Sequence, residues 1–192
     1  MPKCVDIEKI ICDKMLEMMD NTPFYQIKIT DLTKSANISR STFYLYFSSC
    51  YDVIEKIEKD FFDGLINIQR ATTEIASDMR FSGESEAFKD ILATVQYLRQ
   101  NATAFCALLG PNGDASFSNK LSHRIRHCLV DTLKNANCPV SQEKISLIAE
   151  FLVNGTLAYQ RYAIRHPEKF DDKLIAETYW QIDKALMALL HS

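Results

Sequence analysis

The stretch ANISRSTFYLYFSS, Ala36 to Ser49, sets Arg40, Ser41 and Thr42 beside four aromatic residues, Phe43, Tyr44, Tyr46 and Phe47. A guanidinium fork can grip a guanine edge through two parallel hydrogen bonds, and hydroxyls can bond phosphate oxygens. On a helix Phe43 and Phe47, four residues apart, share one face and belong to a core. Arg40, Ser41, Tyr44 and Tyr46 are then displaced to other faces. With Lys28, Thr30, Ser39 and Thr42 they form a candidate set of contacts to DNA phosphates and bases. Helix N-termini can add further phosphate contacts.

Such contacts require short helices held at fixed angles. Ile7, Ile11, Met15 and Met18 recur at helical steps and predict an amphipathic first helix from Asp6 to about Asp20. The NTPF run breaks it, because Pro23 disfavours a helical residue before it. Thr30 or Asp31 is expected to cap a second helix to about Ala36, and Ser39 a third through about Phe47. Asn37, between them, tolerates the left-handed conformation of a tight turn. Ser48 or Ser49 is expected to cap a long fourth helix, about Tyr51 to Asp78. Two short helices, a tight turn and a preceding helix are the helix-turn-helix plan. Its expected core is Leu32, Ala36, Ile38, Phe43 and Phe47.

Charge does not announce this site. From Met1 to Cys50 six basic residues (Lys3, Lys9, Lys14, Lys28, Lys34, Arg40) balance six acidic ones. The expectation rests on the local cluster Lys28, Lys34 and Arg40. The 192-residue chain is otherwise of ordinary globular composition, with few Gly and Pro and helical apolar spacing nearly throughout, which predicts an all-α protein. No apolar run is long enough for a membrane span, and the N-terminus has no apolar signal core, so a cytoplasmic location is expected. The six cysteines form no CxxC pair and are expected to be reduced thiols. His123 and His127 have the spacing of a metal pair, but Arg124 and Arg126 beside them repel a cation, and no metal or other cofactor is expected. No catalytic constellation stands out, so no enzyme activity is expected.

About five further helices should follow the fourth, separated by turn-forming runs such as FSGES, GPNGD, NANCPVS and RHPEKFDD. Glu86–Gln100 and Ser116–Lys134 read as two of them. The last two carry long seams: Ile145, Ile148, Leu152, Gly155, Tyr159 and Tyr162 on one, and Ile175, Tyr179, Ile182, Leu186 and Leu189 on the other. Their steps of three and four suit helices packed at shallow angles.

The run KITDLTKSANISRSTFYLYFSSCYDVI, Lys28 to Ile54, resembles the DNA-binding motif of the tetracycline-repressor (TetR) family. PFYQIKITDL, RSTFY and YDVI are similar to a branch common in low-GC Gram-positive bacteria, and LLGPNGDASFSNKL resembles the C-terminal domain of that branch. Asn37 stands where the family usually has Gly. Cys50 stands where it commonly has a phosphate-contacting Lys. The resemblance implies a helix-turn-helix domain over residues 1–50, joined by the long helix to an effector-binding and dimerisation domain over 51–192. It implies a homodimer on a palindromic operator, with Ile148, Leu152, Gly155, Tyr159, Ile175, Tyr179, Ile182, Leu186 and Leu189 at the dimer interface. It also implies control by a small-molecule effector or a protein coregulator. Ile66, Gln69, Arg70, Tyr97, Phe105, Tyr159 and Tyr162 are candidate pocket residues, with Gln160 or Arg161 as a polar contact. The alternative is a helical interaction protein that keeps this fold, has lost DNA binding and acts through a protein partner.

Overall fold

The computed structural model describes residues 6–78, 84–135 and 141–190. Within those helices the side chains of residues 69–78, 84–86, 128–129, 131–135, 186–187 and 189–190 lie outside the description. The described residues form nine α-helices and no strand: α1 (Ile7–Met19), α2 (Ile29–Ser35), α3 (Arg40–Tyr44), α4 (Cys50–Asp78), α5 (Glu84–Gln100), α6 (Ala102–Leu108), α7 (Ala115–Asn135), α8 (Gln142–Arg165) and α9 (Asp172–Leu190). A single 3-10 turn, Phe24–Gln26, follows the break at Pro23. The expected breaks at Phe81–Gly83 and Ala136–Val140 lie outside the described residues.

Local chemistry sets most of these boundaries. The Asp6 carboxylate accepts from the Lys9 backbone N–H at 3.1 Å and so caps α1. The buried stripe of α1 is Ile11, Met15, Leu16 and Met19 rather than one including Met18, because 3.6 residues per turn carries the face onward. α2 departs from expectation. Its N-cap position is held by Lys28, with no side-chain cap, and Thr30 lies inside the helix. Asn37 takes φ 52°, the left-handed turn expected of it. Ser39 caps α3, its Oγ accepting from the Thr42 N–H at 3.0 Å. α3 closes at Tyr44, shorter than expected, although Phe47 N–H still bonds the Phe43 carbonyl at 3.0 Å. At the start of α4 the Ser49 Oγ accepts from the Asp52 N–H at 3.2 Å. Asp52 reaches back to Ser49 Oγ at 2.6 Å and to the Ser48 N–H at 2.9 Å. This is a reciprocal capping box with Asp in the usual Glu position.

Packing divides the chain into two compact units, and residues of α4 fall in both. One comprises residues 1–63 and 103–117. Ile11, Met15, Leu32, Phe43, Val53, Ile54 and Phe61 are buried in it. Phe61 stacks on Phe105 at 5.9 Å between centroids and meets Phe117 edge-on at 5.6 Å. The GPNGD loop belongs to this unit. Asn112 donates from Nδ2 to the Met19 carbonyl at 2.9 Å, which closes the C-terminal end of α1, and accepts from the Phe24 N–H at 3.0 Å.

Gly113 is what lets that loop close. A Cβ there would collide with the Leu108 carbonyl oxygen and come within 2.7 Å of that of Ala107, and backbone atoms cannot swing aside. Gly113→Ala should therefore destabilise the chain by roughly 1–3 kcal/mol through overpacking. A thermal melt should show the loss, and an unchanged melting temperature would refute the close approach.

The other unit comprises residues 64–102 and 118–192. Its core gathers Val95 of α5 with Ala163 of α8 and Ile175 and Ala176 of α9, backed by Phe88, Ile91, Leu92, Tyr159 and Phe170. Arg99 pins the start of α9, bonding Asp172 Oδ1 at 2.9 Å and the Phe170 carbonyl at 2.7 Å. α8 is apolar on two faces. Ile145, Ala149, Val153, Thr156, Ala163 and Ile164 are buried inside the unit, while Leu147 and Phe151 are left outside.

Candidate nucleic-acid interface

The helix-turn-helix buries one side and exposes another in the pattern its spacing requires. Phe43 and Phe47 are buried with Leu32 and Ala36. Arg40, Ser41, Tyr44, Leu45 and Tyr46 are exposed, as are Lys28, Thr30 and Ser39, and Thr42 is half-buried beneath them. The Ser39 hydroxyl lies 2.7 Å from that of Ser41 and 2.8 Å from that of Thr42, so three hydroxyls cluster at the N-terminus of α3 beside Arg40. The sequence-derived contact set is thus exposed apart from Thr42, and Ser39, Ser41 and Thr42 are brought together. Leu45, Tyr25 and Tyr51, exposed on the same small domain, were not in it. Local pattern reading assigns apolar side chains to a core, and Leu45 departs from that by lying on the surface.

Electrostatics explains how a neutral domain can present a basic surface. Lys9 pairs with Asp13 at 2.6 Å, Lys14 with Glu17 at 2.6 Å and Glu8 with Lys56 at 2.8 Å. Asp6 is engaged as a cap. Most acids of the first fifty residues are therefore occupied on α1. Lys28, Lys34 and Arg40 are exposed and enter no salt bridge among the described residues. Hydrogen bonds from Ser49 and the Ser48 backbone hold the Asp52 carboxyl below its ordinary range, which keeps it an anion beside the first turn of α4. Cys50, in that turn, is buried, and burial raises its thiol pKa, so it offers no group to a phosphate. Burial pushes the Cys12 thiol up to about 12. Cys12, Cys50 and Cys106 are in no disulfide, Cys4 and Cys138 lie outside the described residues, and the Cys128 side chain lies outside the description. His123 and His127 are neighbours at 6.4 Å between ring centroids, and no metal-holding cluster occurs among the described residues.

The candidate interface residues of α8 and α9 divide. Ile175 is 2 % exposed and belongs to the subunit's own core, so it cannot contribute to an outer seam. Ile148 and Leu152 are half-buried, and Gly155 and Ile182 are exposed. Leu186 and Leu189 lie outside the described side chains. Leu147 and Phe151, 74 % and 72 % exposed, extend the same outer face and were missed. They were missed because a seam counted from large apolar residues straddles both faces of α8, whose buried face itself mixes Ile and Val with Ala and Thr.

Between α8 and α9 lies an apolar cavity of about 200 Å³, lined by Phe151, Leu152, Gly155, Tyr159, Ile182 and Asp183 among others. Nothing lies within 4 Å of where a Gly155 Cβ would stand. Tyr159 donates to the Ile175 carbonyl at 2.9 Å, and Tyr179 meets Thr156 at 3.3 Å. The other candidate pocket residues serve varied purposes. Phe105 is a fully buried core ring rather than a lining residue. The Tyr97 ring covers Gly64. Tyr162 is exposed and packs on His166 and Phe170. Ile66 and Gln160 are half-buried and Arg161 exposed, while Gln69 and Arg70 lie outside the described side chains.

Burial raises the Asp183 carboxyl above the ordinary carboxylate range. The folded chain then binds this proton more tightly than the unfolded chain, so Asp183 makes stability fall as pH rises from the ordinary carboxylate value through the raised one. Asp183→Asn should raise the melting temperature at about pH 7, and the gain should vanish well below about pH 4. A pH-independent difference would assign the effect to packing instead.

A family model described as a transcriptional regulator C-terminal region, of TetR type, matches residues 85–182. Over 67 residues the chain is 33% identical to the HTH-type dhaKLM operon transcriptional activator DhaS of Lactococcus lactis subsp. lactis (strain IL1403). That match spans 35% of this chain and 36% of the relative, so about a third of each. Among solved structures, a dihydroxyacetone kinase operon activator DhaS is 22% identical, with 97% of both chains covered and a TM-score of 0.56. A TetR-family transcriptional regulator structure from Syntrophomonas wolfei str. Goettingen is 18% identical, with 94% of both chains covered and a TM-score of 0.63. The structural likenesses show the fold. The match over residues 85–182 carries the family.

Proposed function

The chain belongs to the TetR family of transcriptional regulators, and on that premise we propose that it binds a palindromic DNA operator as a homodimer under the control of an effector. Residues 1–50 supply the reading head, and residues 51–192 the dimerisation and effector-binding functions. The observation that carries this reading is the exposed surface of α2 and α3. Lys28, Lys34 and Arg40 enter no salt bridge among the described residues, with Asp31 the one acid beside them, while the acids of α1 are engaged. Ser39, Ser41 and Tyr44 stand ready to bond phosphates or base edges. Arg40 is the base-reading group, and Tyr44 and the hydroxyl cluster position the helix on the backbone.

The outer face of α8 and α9 supports the homodimer. Leu147, Phe151, Leu152, Gly155 and Ile182 make a face that water meets poorly, and the open space at Gly155 would admit a helix of a second copy. Two reading heads related by two-fold symmetry match a palindrome with half-sites about 34–36 Å apart or a multiple of that. An effector of the C-terminal region, small molecule or protein, would act by favouring a pairing of heads that fits the operator less well. Reciprocity then requires that operator weaken effector binding by the same factor.

Selection of duplexes from a random-sequence pool with the full chain tests the proposal. It should return one motif with two inverted half-sites. An asymmetric motif would remove the homodimer from the account, and no enrichment would remove the operator.

A further inference from the structure

Tyr44, Leu45 and Tyr46 form an unbroken run of exposed apolar side chains at the C-terminal end of α3, exposed by 50 %, 81 % and 46 %. Leu45 is the most exposed large apolar residue among the described ones. A single exposed leucine needs no explanation, but three consecutive exposed apolar residues on a small domain mark a surface built for contact. The two tyrosines have hydroxyls to satisfy, and phosphates or base edges can satisfy them. Leu45 has no polar atom at all, so it can bond neither.

Helical spacing places Leu45 in register with the reading face. Arg40 and Tyr44 form one i, i+4 row on the outside of α3, and Ser41 and Leu45 form the adjacent row, all four exposed. Phe43 and Phe47 anchor the opposite side in the core. A groove wide enough to take the exposed face of α3 around Ser41 and Tyr44 would also meet Leu45, the C-cap residue five positions after Arg40. The groove offers one apolar feature to such a side chain. The major-groove edge of thymine carries a 5-methyl group, which the other bases lack.

We propose that Leu45 reads the 5-methyl group of one thymine in each half-site, setting base preference at a position where it makes no hydrogen bond. The inference rests on the operator reading above. Arg40 specifies by paired hydrogen bonds and Leu45 by removing a methyl and its own side chain from water together. Because Leu45 is exposed in the free chain, replacing it leaves the core of the domain untouched.

The test is a uracil scan. Each thymine of a duplex selected by the full chain is replaced in turn by dU, which deletes the methyl and keeps every hydrogen-bonding group. Burial of one methyl implies binding by the parent about three- to fivefold weaker at one position of the half-site. Leu45→Ala should bind the all-thymine duplex weaker by a similar factor and lose its sensitivity to dU at that position alone. Leu45→Met should retain the sensitivity. Equal melting temperatures for the parent and both variants would show that the fold is shared. The proposal is overturned if no thymine is sensitive in the parent, or if Leu45→Ala responds to dU as the parent does. A chain that selects no duplex overturns the operator reading and this inference with it, whereas selection without methyl sensitivity overturns this inference alone.

Discussion

Phe151→Asp should convert the proposed homodimer into a folded monomer that no longer holds its operator. Phe151 is 72 % exposed in the single subunit and borders the apolar cavity between α8 and α9, so the substitution disturbs little of the subunit's own core. Across a dimer seam the same carboxylate would lie against Leu152, Ile182 and their symmetry mates, desolvated and unpaired. That costs several kcal/mol, and two-fold symmetry introduces it twice. Ile182→Asp should act in the same direction. Joining two reading heads multiplies operator affinity by roughly 10²–10⁴ over one head, so the monomer should lose about that much. Sedimentation velocity checks the assembly and a thermal melt checks the fold. A Phe151→Asp chain that melts as the parent does and still sediments as a dimer would move the interface elsewhere.

Arg40→Ala should weaken operator binding by about 1–3 kcal/mol, roughly five- to 150-fold, and relax preference at one base pair of each half-site. The side chain is exposed, bonded to no acid among the described residues, and set at the first position of α3 beside the Ser39 cap. Ser39 caps through its own hydroxyl, so the helix survives the loss of Arg40. Lys9→Ala is the matched control. It removes one positive charge from the same fifty residues, but from a side chain already paired with Asp13 on α1, and should leave affinity almost unchanged. If Arg40→Ala binds operator and scrambled duplex as the parent does, Arg40 does not read the operator.

What could be read in advance was what local chemistry decides. Ser39 and Ser49 cap because a short side-chain acceptor lies three residues before the N–H it must reach, a relation visible in the sequence. At Thr30 and Asp31 it misleads, since Lys28 holds the N-cap position of α2 with no side-chain cap. Asn37 turns because few other residues tolerate its backbone conformation. Contacts decided over long separations were not legible. Asn112 reaches the Met19 carbonyl across 93 residues, and nothing near either residue signals the meeting. The burial of Ile175 and the exposure of Leu147 and Phe151 depend on which face of a two-faced helix meets its neighbours. In the helix-turn-helix the residue types anticipated which side chains are exposed, except at Leu45, an apolar side chain left on the surface. Composition also concealed the charge pattern. Six cations and six anions cancel in the count from Met1 to Cys50, yet the pairs formed on α1 leave Asp31 as the one acid among the cations Lys28, Lys34 and Arg40 of α2 and α3.

The central claim is that this surface reads DNA by sequence, and one titration tests it most directly. The full chain is titrated against its selected duplex and a scrambled duplex of equal length and composition, each over a range of salt concentrations. Affinity for both should fall linearly on logarithmic axes as salt rises, because Lys28, Lys34 and Arg40 displace counterions from phosphates. At physiological salt the selected duplex should bind at least about 10³-fold more tightly than the scrambled one. Equal affinity for the two duplexes, or binding to neither at low salt, would contradict the account and favour a helical interaction protein that keeps the fold without reading DNA.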